Sequence, residues 1–456
     1  MNAQTLFGTD GIRGRAGSYP LVPGLLERLG LVLAARIHID MPEEAEDRPK
    51  VLIGHDGRES GETLVAAVAA GLTKGGVDVD VLGLATTPSV AYLTFAGPYQ
   101  AGVVVSASHN PAADNGIKLL GRQGAKLAEA VEQELETALL STENPLEASE
   151  VGEVRRMKNL LVDYIAWLRS EAFPDLDLGG KKFLVDCANG AASKLAPRIL
   201  HAFGAEAICI NDKPDGLNIN HGCGALHPEV ASKAVVEKGC DLGLSLDGDA
   251  DRGMLIDRKG RILDGDAILA GLGVSMQKRG ELKDNTVVAT VMSNLALERC
   301  LHDVGATLLR AQVGDKYVAA AMREGGFNLG GEKSGHILFG DDHGYRGDGI
   351  YTLLRVLESL ARDGEEPDDF APGYEDLPQR LVNLEVKKRV PLEELPTLFA
   401  ACADLEKDLG DRGRIVVRFS GTELRLRLMV EALESDLVDT SIAKLHAAVK
   451  QDDILV

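Results

Sequence analysis

One pattern recurs three times along this chain and sets what it can fold into: a short apolar strand that stops at a polar turn and opens a helix. Val51-Leu52-Ile53-Gly54 runs into His55-Asp56-Gly57, Phe183-Leu184-Val185 into Asp186-Cys187-Ala188-Asn189-Gly190, and Val287-Val288-Ala289 into Thr290-Val291-Met292-Ser293-Asn294. Apolar runs this short, rich in β-branched residues, read as buried strands, and each heads a βαβ unit. A second apolar strand follows in each case (Val77 to Leu84, Ala205 to Ile210, Ala306 to Leu309), then a third (Gly102 to Val105, Leu242 to Leu246, Phe327 to Leu329). The spacing is too wide for a solenoid. The fold class is therefore α/β: three tandem α/β domains of similar topology, followed by a smaller α+β C-terminal domain whose strands fall at Leu381 to Lys387, Arg414 to Phe419 and Leu424 to Val430. Polar and Pro-containing interruptions place the domains at residues 1–150, 151–260, 261–372 and 373–456.

Each third strand ends in a loop rich in reactive side chains, and ligands bind at the carboxyl ends of strands in open α/β sheets. The first loop is Ser106-Ala107-Ser108-His109-Asn110-Pro111, in which Pro111 biases Asn110 away from the helical region. Ser108 is the candidate nucleophile. Taken alone, the loop also fits a capped turn with a surface histidine.

The second loop, Asp247-Gly248-Asp249-Ala250-Asp251-Arg252, sets three carboxylates on alternate residues, so their oxygens can converge on one hard cation. A calcium EF-hand fails here, because the sixth residue is Arg252 where glycine is needed and the twelfth is Arg258 where a bidentate glutamate belongs. Mg²⁺ fits if water and a phosphoryl oxygen complete its shell. An acidic loop without an ion is the alternative.

The third loop, Glu332-Lys333-Ser334-Gly335-His336, combines acceptors for sugar hydroxyls with an imidazole able to exchange a proton near neutral pH. In the C-terminal domain, Ser420-Gly421-Thr422 offers hydroxyls and consecutive backbone N–H groups in the shape of an anion nest, flanked by Arg418 and Arg427; an ordinary hairpin turn is equally consistent. Two further candidates are Arg13, in the glycine-rich loop Phe7 to Gly14, whose planar fork suits phosphate, and Lys118, a second proton-transfer group or a plain ion pair. Helices are expected from about Pro23 to Ile39 and around Lys158 to Ser170.

Composition narrows the partners. A net charge of −21 argues against nucleic acid and anionic membranes and leaves a small molecule as substrate. The six cysteines stand singly, as free thiols in a reducing compartment, and no stretch is apolar enough to be a signal peptide or to span a bilayer, so a cytoplasmic location is expected.

FGTDGIRG, SASHNP with a downstream GIK, DGDADR, GGEKSGH and SGTE, in this order, resemble the α-D-phosphohexomutase superfamily. Leu217 to Asn220 with Cys223-Gly224, Met292 to Asn294 and Gly314 to Val318 are most similar to its bacterial hexosamine-phosphate branch, with hexose phosphates as the next substrates to consider. The resemblance implies a phosphoserine at Ser108 and one Mg²⁺ per chain between Ser108, Asp247, Asp249 and Asp251. It also implies sugar contacts from Glu332 and Ser334, a phosphate nest of Arg418, Ser420, Gly421, Thr422 and Arg427, and a reacting centre ringed by Arg13, His109, Lys118 and His336. Arg252 is placed with the substrate-binding groups, and a homodimer is the candidate assembly. Four residues depart from the pattern: Ala250 stands where glycine is usual, Lys333 where an uncharged residue is, and Phe419 and Leu424 alter the SGTE loop. The methyl of Ala250 should be tolerated, while Lys333 and Leu424 bear on specificity and loop rigidity.

Two other classes compete. A serine hydrolase would need a G-x-S-x-G elbow, which is missing, and a base better placed than the adjacent His109. A non-catalytic sugar-phosphate sensor would be expected to have lost the nucleophile or the metal ligands, and all four are present.

Overall fold

The computed structural model describes residues 6–8, 10–41, 47–143, 148–340, 343–371, 373–420 and 424–456. The first sheet runs in the order Phe7–Gly8, Gly11–Arg15, Asp114–Gly121, Ala101–Val105, Lys50–His55, Asp78–Leu84, Val154–Arg156. The second is Ile262–Leu263, Gly253–Asp257, Leu242–Leu246, Lys182–Asp186, Glu206–Ile210, and the third is Thr307–Ala311, Thr286–Thr290, Leu329–Gly331, Ile337–Phe339. All three share one plan. The leading strand pairs in parallel with the second and the third, and the third is flanked by an antiparallel return strand. Every reactive loop of these units therefore sits between a parallel strand and the strand that carries the chain back.

The C-terminal unit has a different sheet, Gln379–Glu385, Arg425–Ala432, Gly413–Phe419, antiparallel throughout and covered by helices Pro396–Leu409 and Ser435–Gln451. It keeps its own core around Leu398, Leu426, Leu428 and Leu445. The other three units share one: Val104 and Leu120 of the first, Phe183 and Leu244 of the second, and Val287 and Leu354 of the third pack into a single buried cluster. Fully burying a side chain of this size contributes about 1.5–3 kcal/mol, so this shared core strongly favours one arrangement of the three units.

Three local expectations are revised. Phe7 to Gly14 forms the strands Phe7–Gly8 and Gly11–Arg15, paired antiparallel, where a plain loop was expected. Gly11 makes this possible: its φ is +76°, and a Cβ there would sit 2.2 Å from the Ile117 carbonyl oxygen. The helix expected around Lys158 to Ser170 is regular only over Leu161–Trp167 and continues as a wider π turn, Leu168–Ala172. Beyond residue 150, Val154–Arg156 returns to the edge of the first sheet, so that sheet reaches past the expected boundary. The first long helix is Pro23–Asp40, as its pattern predicts. Among the described residues no helix is long and apolar enough to cross a membrane.

Candidate active site

The five residues Ala101–Val105 are all buried and deliver Ser108 onto a loop where its φ is +54°, a conformation serine seldom adopts. Such strain persists only where the surroundings fix it, and here they do. Ser106 Oγ accepts from the Ser108 N–H at 2.8 Å and donates to Asp56 Oδ2 at 2.7 Å. Arg58, fully buried and paired with Asp56 at 2.8 Å, donates to the carbonyl oxygens of Ser108, Asn110 and Asp114 at 3.0, 2.8 and 2.9 Å and also to that of Pro111. From the second unit, Asn220 Nδ2 donates to the Ser108 and Asn110 carbonyls at 2.9 and 3.1 Å. The hydroxyl left at the centre donates to Asp247 Oδ2 at 2.5 Å and lies 3.3 Å from His109 Nδ1.

Asp247, Asp249 and Asp251 are all buried, and one oxygen from each lies within 4.8 Å of the others. Burial first, then Asp251 and Asp249, push the Asp247 pKa well above the carboxylate range. Asp249 Oδ1 and Asp251 Oδ1 are buried without a hydrogen-bond partner. Carboxylate oxygens packed this tightly and left unsatisfied are the donor set of a hard divalent cation. Their turn is held from the first unit, where Thr87 Oγ1 donates to Asp249 Oδ2 at 2.6 Å and the Thr87 N–H donates to the Asp249 carbonyl at 3.0 Å. Ala250 has a φ of +61°. The departure from glycine therefore carries a conformational cost, about 1–2 kcal/mol for a left-handed non-glycine residue.

Lys118, on the return strand Asp114–Gly121, is 1% exposed and places Nζ 2.8 Å from both Asp249 Oδ2 and Asp251 Oδ2 and 3.1 Å from Asp10 Oδ2. Burial acts to lower its pKa, but Asp10, Asp249 and Asp251 together hold it well above its ordinary value, so the amine is charged. Asp10 also pairs with Arg13 and, at 2.5 Å, with Lys126, which in turn is 2.6 Å from Asp315. His109 is the counterpart: burial, then Arg252 and Arg13, lower its pKa to about 4, so the imidazole is neutral at pH 7. The Arg252 N–H donates to Asp247 Oδ1 at 3.2 Å, and its guanidinium lies near Asp251.

The third unit closes the ring. His336 lies 3.7 Å from Asp251 and 3.5 Å from Asp315. Glu332 Oε1 accepts from the Gly314 N–H at 3.1 Å, and Ser334 Oγ is buried without a partner. Lys333 turns away from this ring, its Nζ 2.6 Å from both Asp264 and Asp376. In the C-terminal unit, Arg418 and Arg427 face each other across the antiparallel ladder, and Ser420 Oγ is 3.4 Å from Arg427 Nη2. Like charges directly opposite one another are unfavourable without an anion between them, and burial followed by Arg427 lowers the Arg418 pKa. Gly421 and Thr422 lie outside the described residues.

The structure thus brings Ser108, His109, Lys118, Arg13, Asp247, Asp249, Asp251, Arg252 and His336 together. Sequence reasoning assigned no role to Asp10, Asp56, Arg58, Thr87, Asn220, Lys126 or Asp315. Asp56 and Asp10 had a visible signal, since each stands at a strand-end turn beside a glycine and two or three residues before an arginine. Thr87 and Lys126 had none.

Models of the four phosphoglucomutase/phosphomannomutase domains match in order: α/β/α domain I over residues 4–145, domain II over 162–260, domain III over 264–376 and the C-terminal domain over 381–445. Phosphoglucosamine mutase of Anaeromyxobacter sp. (strain Fw109-5) is 45% identical over 440 residues, 95% of this chain and 92% of that protein. That of Rhodococcus erythropolis is 47% identical over 434 residues, covering 95% and 96%. A phosphoglucomutase/phosphomannomutase family protein of Burkholderia thailandensis superposes with a TM-score of 0.82 at 25% identity, covering 99% and 98% of the two chains. N-acetylphosphoglucosamine mutase of Aspergillus fumigatus, solved with GlcNAc-6P and magnesium, shares the fold with a TM-score of 0.61 at 22% identity, covering 98% and 96%.

Proposed function

Since the chain belongs to the phosphoglucomutase/phosphomannomutase family, and is thus an isomerase of the phosphohexomutase type, we propose that it interconverts glucosamine 6-phosphate and glucosamine 1-phosphate in the cytoplasm, supplying the 1-phosphate for UDP-N-acetylglucosamine synthesis. The relatives that carry this name at 45% and 47% identity along nearly the whole chain support the choice of sugar. The observation that carries the reaction type is the Ser108 hydroxyl, 2.5 Å from a buried triad of aspartates.

In this reading Ser108 is carried as a phosphoserine. The bond between its Oγ and phosphorus breaks as the free hydroxyl of the sugar phosphate bonds to the same phosphorus, giving a bisphosphate; the reverse transfer uses the other phosphate and restores phosphoserine. His109, neutral and beside Ser108 Oγ, takes the hydroxyl proton as the bond to phosphorus forms and returns it to the leaving oxygen, acting as a weak base with its pKa lowered to about 4. Lys118 and Arg13 are fixed positive charges for the transferring group, and His336 and Arg252 complete its surroundings. Asp247, Asp249 and Asp251, with Ser108, would hold one Mg²⁺, which when bound supplies charge neutralisation at the transferring oxygens. Glu332 and Ser334 receive the sugar hydroxyls. The pair Arg418 and Arg427, with Ser420, Gly421 and Thr422, grips the phosphate that is not reacting. Each of four units centred on residues 1–150, 151–260, 261–372 and 373–456 contributes one of these loops.

The test is turnover on glucosamine, glucose and mannose phosphates side by side, with phosphoserine measured by mass on the purified protein. Glucosamine phosphates should be preferred and Ser108 phosphorylated. A higher kcat/KM on mannose or glucose phosphates would reassign the substrate, and an unphosphorylated active enzyme would reject the mechanism.

A further inference from the structure

A cavity of about 460 Å³ lies between the first and third units. Its walls are largely apolar, formed by Pro88, Ala91, Leu120 and Leu127 on one side and by Ala319 and Ala320 on the other. Asp251, His336, Thr87, Lys126 and Asp315 close the wall nearest the reacting centre, while Ser108, Arg13, Glu332 and Ser334 line no part of it. A second cavity of about 270 Å³, bounded by Tyr92, Phe95 and Trp167, shares Ala125, Arg323, Tyr345 and Arg346 with the first. The two cavities adjoin at these four residues, two of them arginines.

Arg346 is the unusual member. It is 8% exposed, forms no ion pair among the described residues and donates through Nη1 to the Gln123 carbonyl at 3.2 Å, while its Nε has no partner. Its guanidinium lies over the Phe95 ring at 5.6 Å and feels the Asp348 carboxylate only at longer range, and burial lowers its pKa to about 10. Arg323, exposed at the rim, stacks over Tyr345 at 5.0 Å and likewise forms no ion pair among the described residues. Two arginines facing a shared space call for an anion with several acceptor oxygens. The aromatic recess beside them, where Tyr92 and Trp167 already stack at 4.3 Å, suits a flat ring attached to that anion.

We propose that this double cavity is a second ligand site, adjoining the sugar-phosphate site at Asp251 and His336, which takes a nucleoside monophosphate with its phosphate on Arg346 and Arg323 and its base in the recess of Tyr92, Phe95 and Trp167. Neither arginine belongs to the transfer machinery, so the site can be removed without touching turnover. Asp251 and His336 form part of its wall, so the site borders the reacting centre directly.

The experiment is isothermal titration of the full-length protein with the four ribonucleoside 5′-monophosphates and with inorganic phosphate, each with and without saturating glucosamine 6-phosphate. At least one nucleotide should bind once per chain, more tightly than inorganic phosphate and without being displaced by the sugar phosphate. Arg346→Gln and Arg323→Gln should each weaken it about tenfold or more, with kcat and KM for the sugar phosphates unchanged. Arg323 is exposed, so its variant answers even if the buried Arg346→Gln fails to fold. No nucleotide binding, displacement by glucosamine 6-phosphate, equal binding of inorganic phosphate, or indifference to Arg323→Gln would each overturn the site. The nucleotide arm without sugar phosphate is read from heat alone, so it stands or falls whichever sugar the enzyme uses.

Discussion

Ser108 and Arg427 are proposed to handle the two phosphates of one substrate, yet the chain supports them in opposite ways. Around Ser108, Arg58 and Asn220 bind the loop's carbonyls, Thr87 reaches across to Asp249, and three units pack on one core. Arg427 lies on a sheet with a core of its own. That sheet is tied to the third unit through contacts such as Arg414 Nη2 to the Ser293 carbonyl at 2.6 Å and Lys333 to the linker residue Asp376. Transfer requires reacting atoms held in place before the ligand arrives, whereas an anchor has only to close on a phosphate once it is there. Pre-organisation is spent where the bond changes.

Removing the nucleophile should produce the largest effect. Ser108→Ala is expected to abolish the phosphorylated species and nearly all mutase activity with an unchanged fold by circular dichroism; near-normal turnover would end the phosphoserine reading. Asp249→Asn keeps the shape of the side chain but removes one charge from the triad, and it should raise the magnesium concentration for half-maximal activity at least tenfold. An unchanged magnesium dependence would make the loop structural.

The other side of the contrast is probed by Arg427→Ala. A charge-assisted contact to phosphate contributes about 1.5–3 kcal/mol, so kcat/KM should fall roughly ten- to a hundredfold in both directions while phosphoserine persists. Loss of phosphoserine with normal KM would place Arg427 at the reacting centre. Ala250→Gly should relieve left-handed backbone strain and stabilise the protein by about 1 kcal/mol, read as the denaturation midpoint. The smallest effect concerns pH. His343, stacked on Tyr351 at 4.1 Å and on Trp167 at 5.4 Å, has its pKa lowered by burial from 6.5. The unfolded chain then binds a proton that the folded one refuses, so stability should fall as pH drops below about 6.5, and His343→Phe should flatten that slope.

The legible part of this molecule was whatever is local in sequence. Strand ends carry their loops with them, so SASHNP, DGDADR and GEKSGH could be placed at the carboxyl ends of strands from apolar runs alone, and the shared strand order bears out three units of one topology. What escaped is set by long-range closure. Thr87 reaches Asp249 and Asn220 reaches the Ser108 carbonyl across unit boundaries that no periodicity encodes. Lys333 reads as a specificity residue from its place beside Glu332 but is spent on Asp264 and Asp376. The steric reading of Ala250 was incomplete because a positive φ is invisible until the turn is built.

The antiparallel return strands carry a consequence for turnover. Residues 106–113, 247–252 and 332–336 are tips pinned on both sides by ladder hydrogen bonds, from Ala101–Val105 to Asp114–Gly121, from Leu246 to Gly253 and from Gly331 to Ile337. Swinging such a tip would break those bonds, so these loops cannot follow a ligand. If both phosphates of one sugar must meet Ser108 in turn, the bisphosphate itself has to rotate end for end within a stationary ring. On the proposed roles, the fraction that escapes to solvent in each cycle would then be set by the grip of Arg418 and Arg427 and not by the chemistry at Ser108.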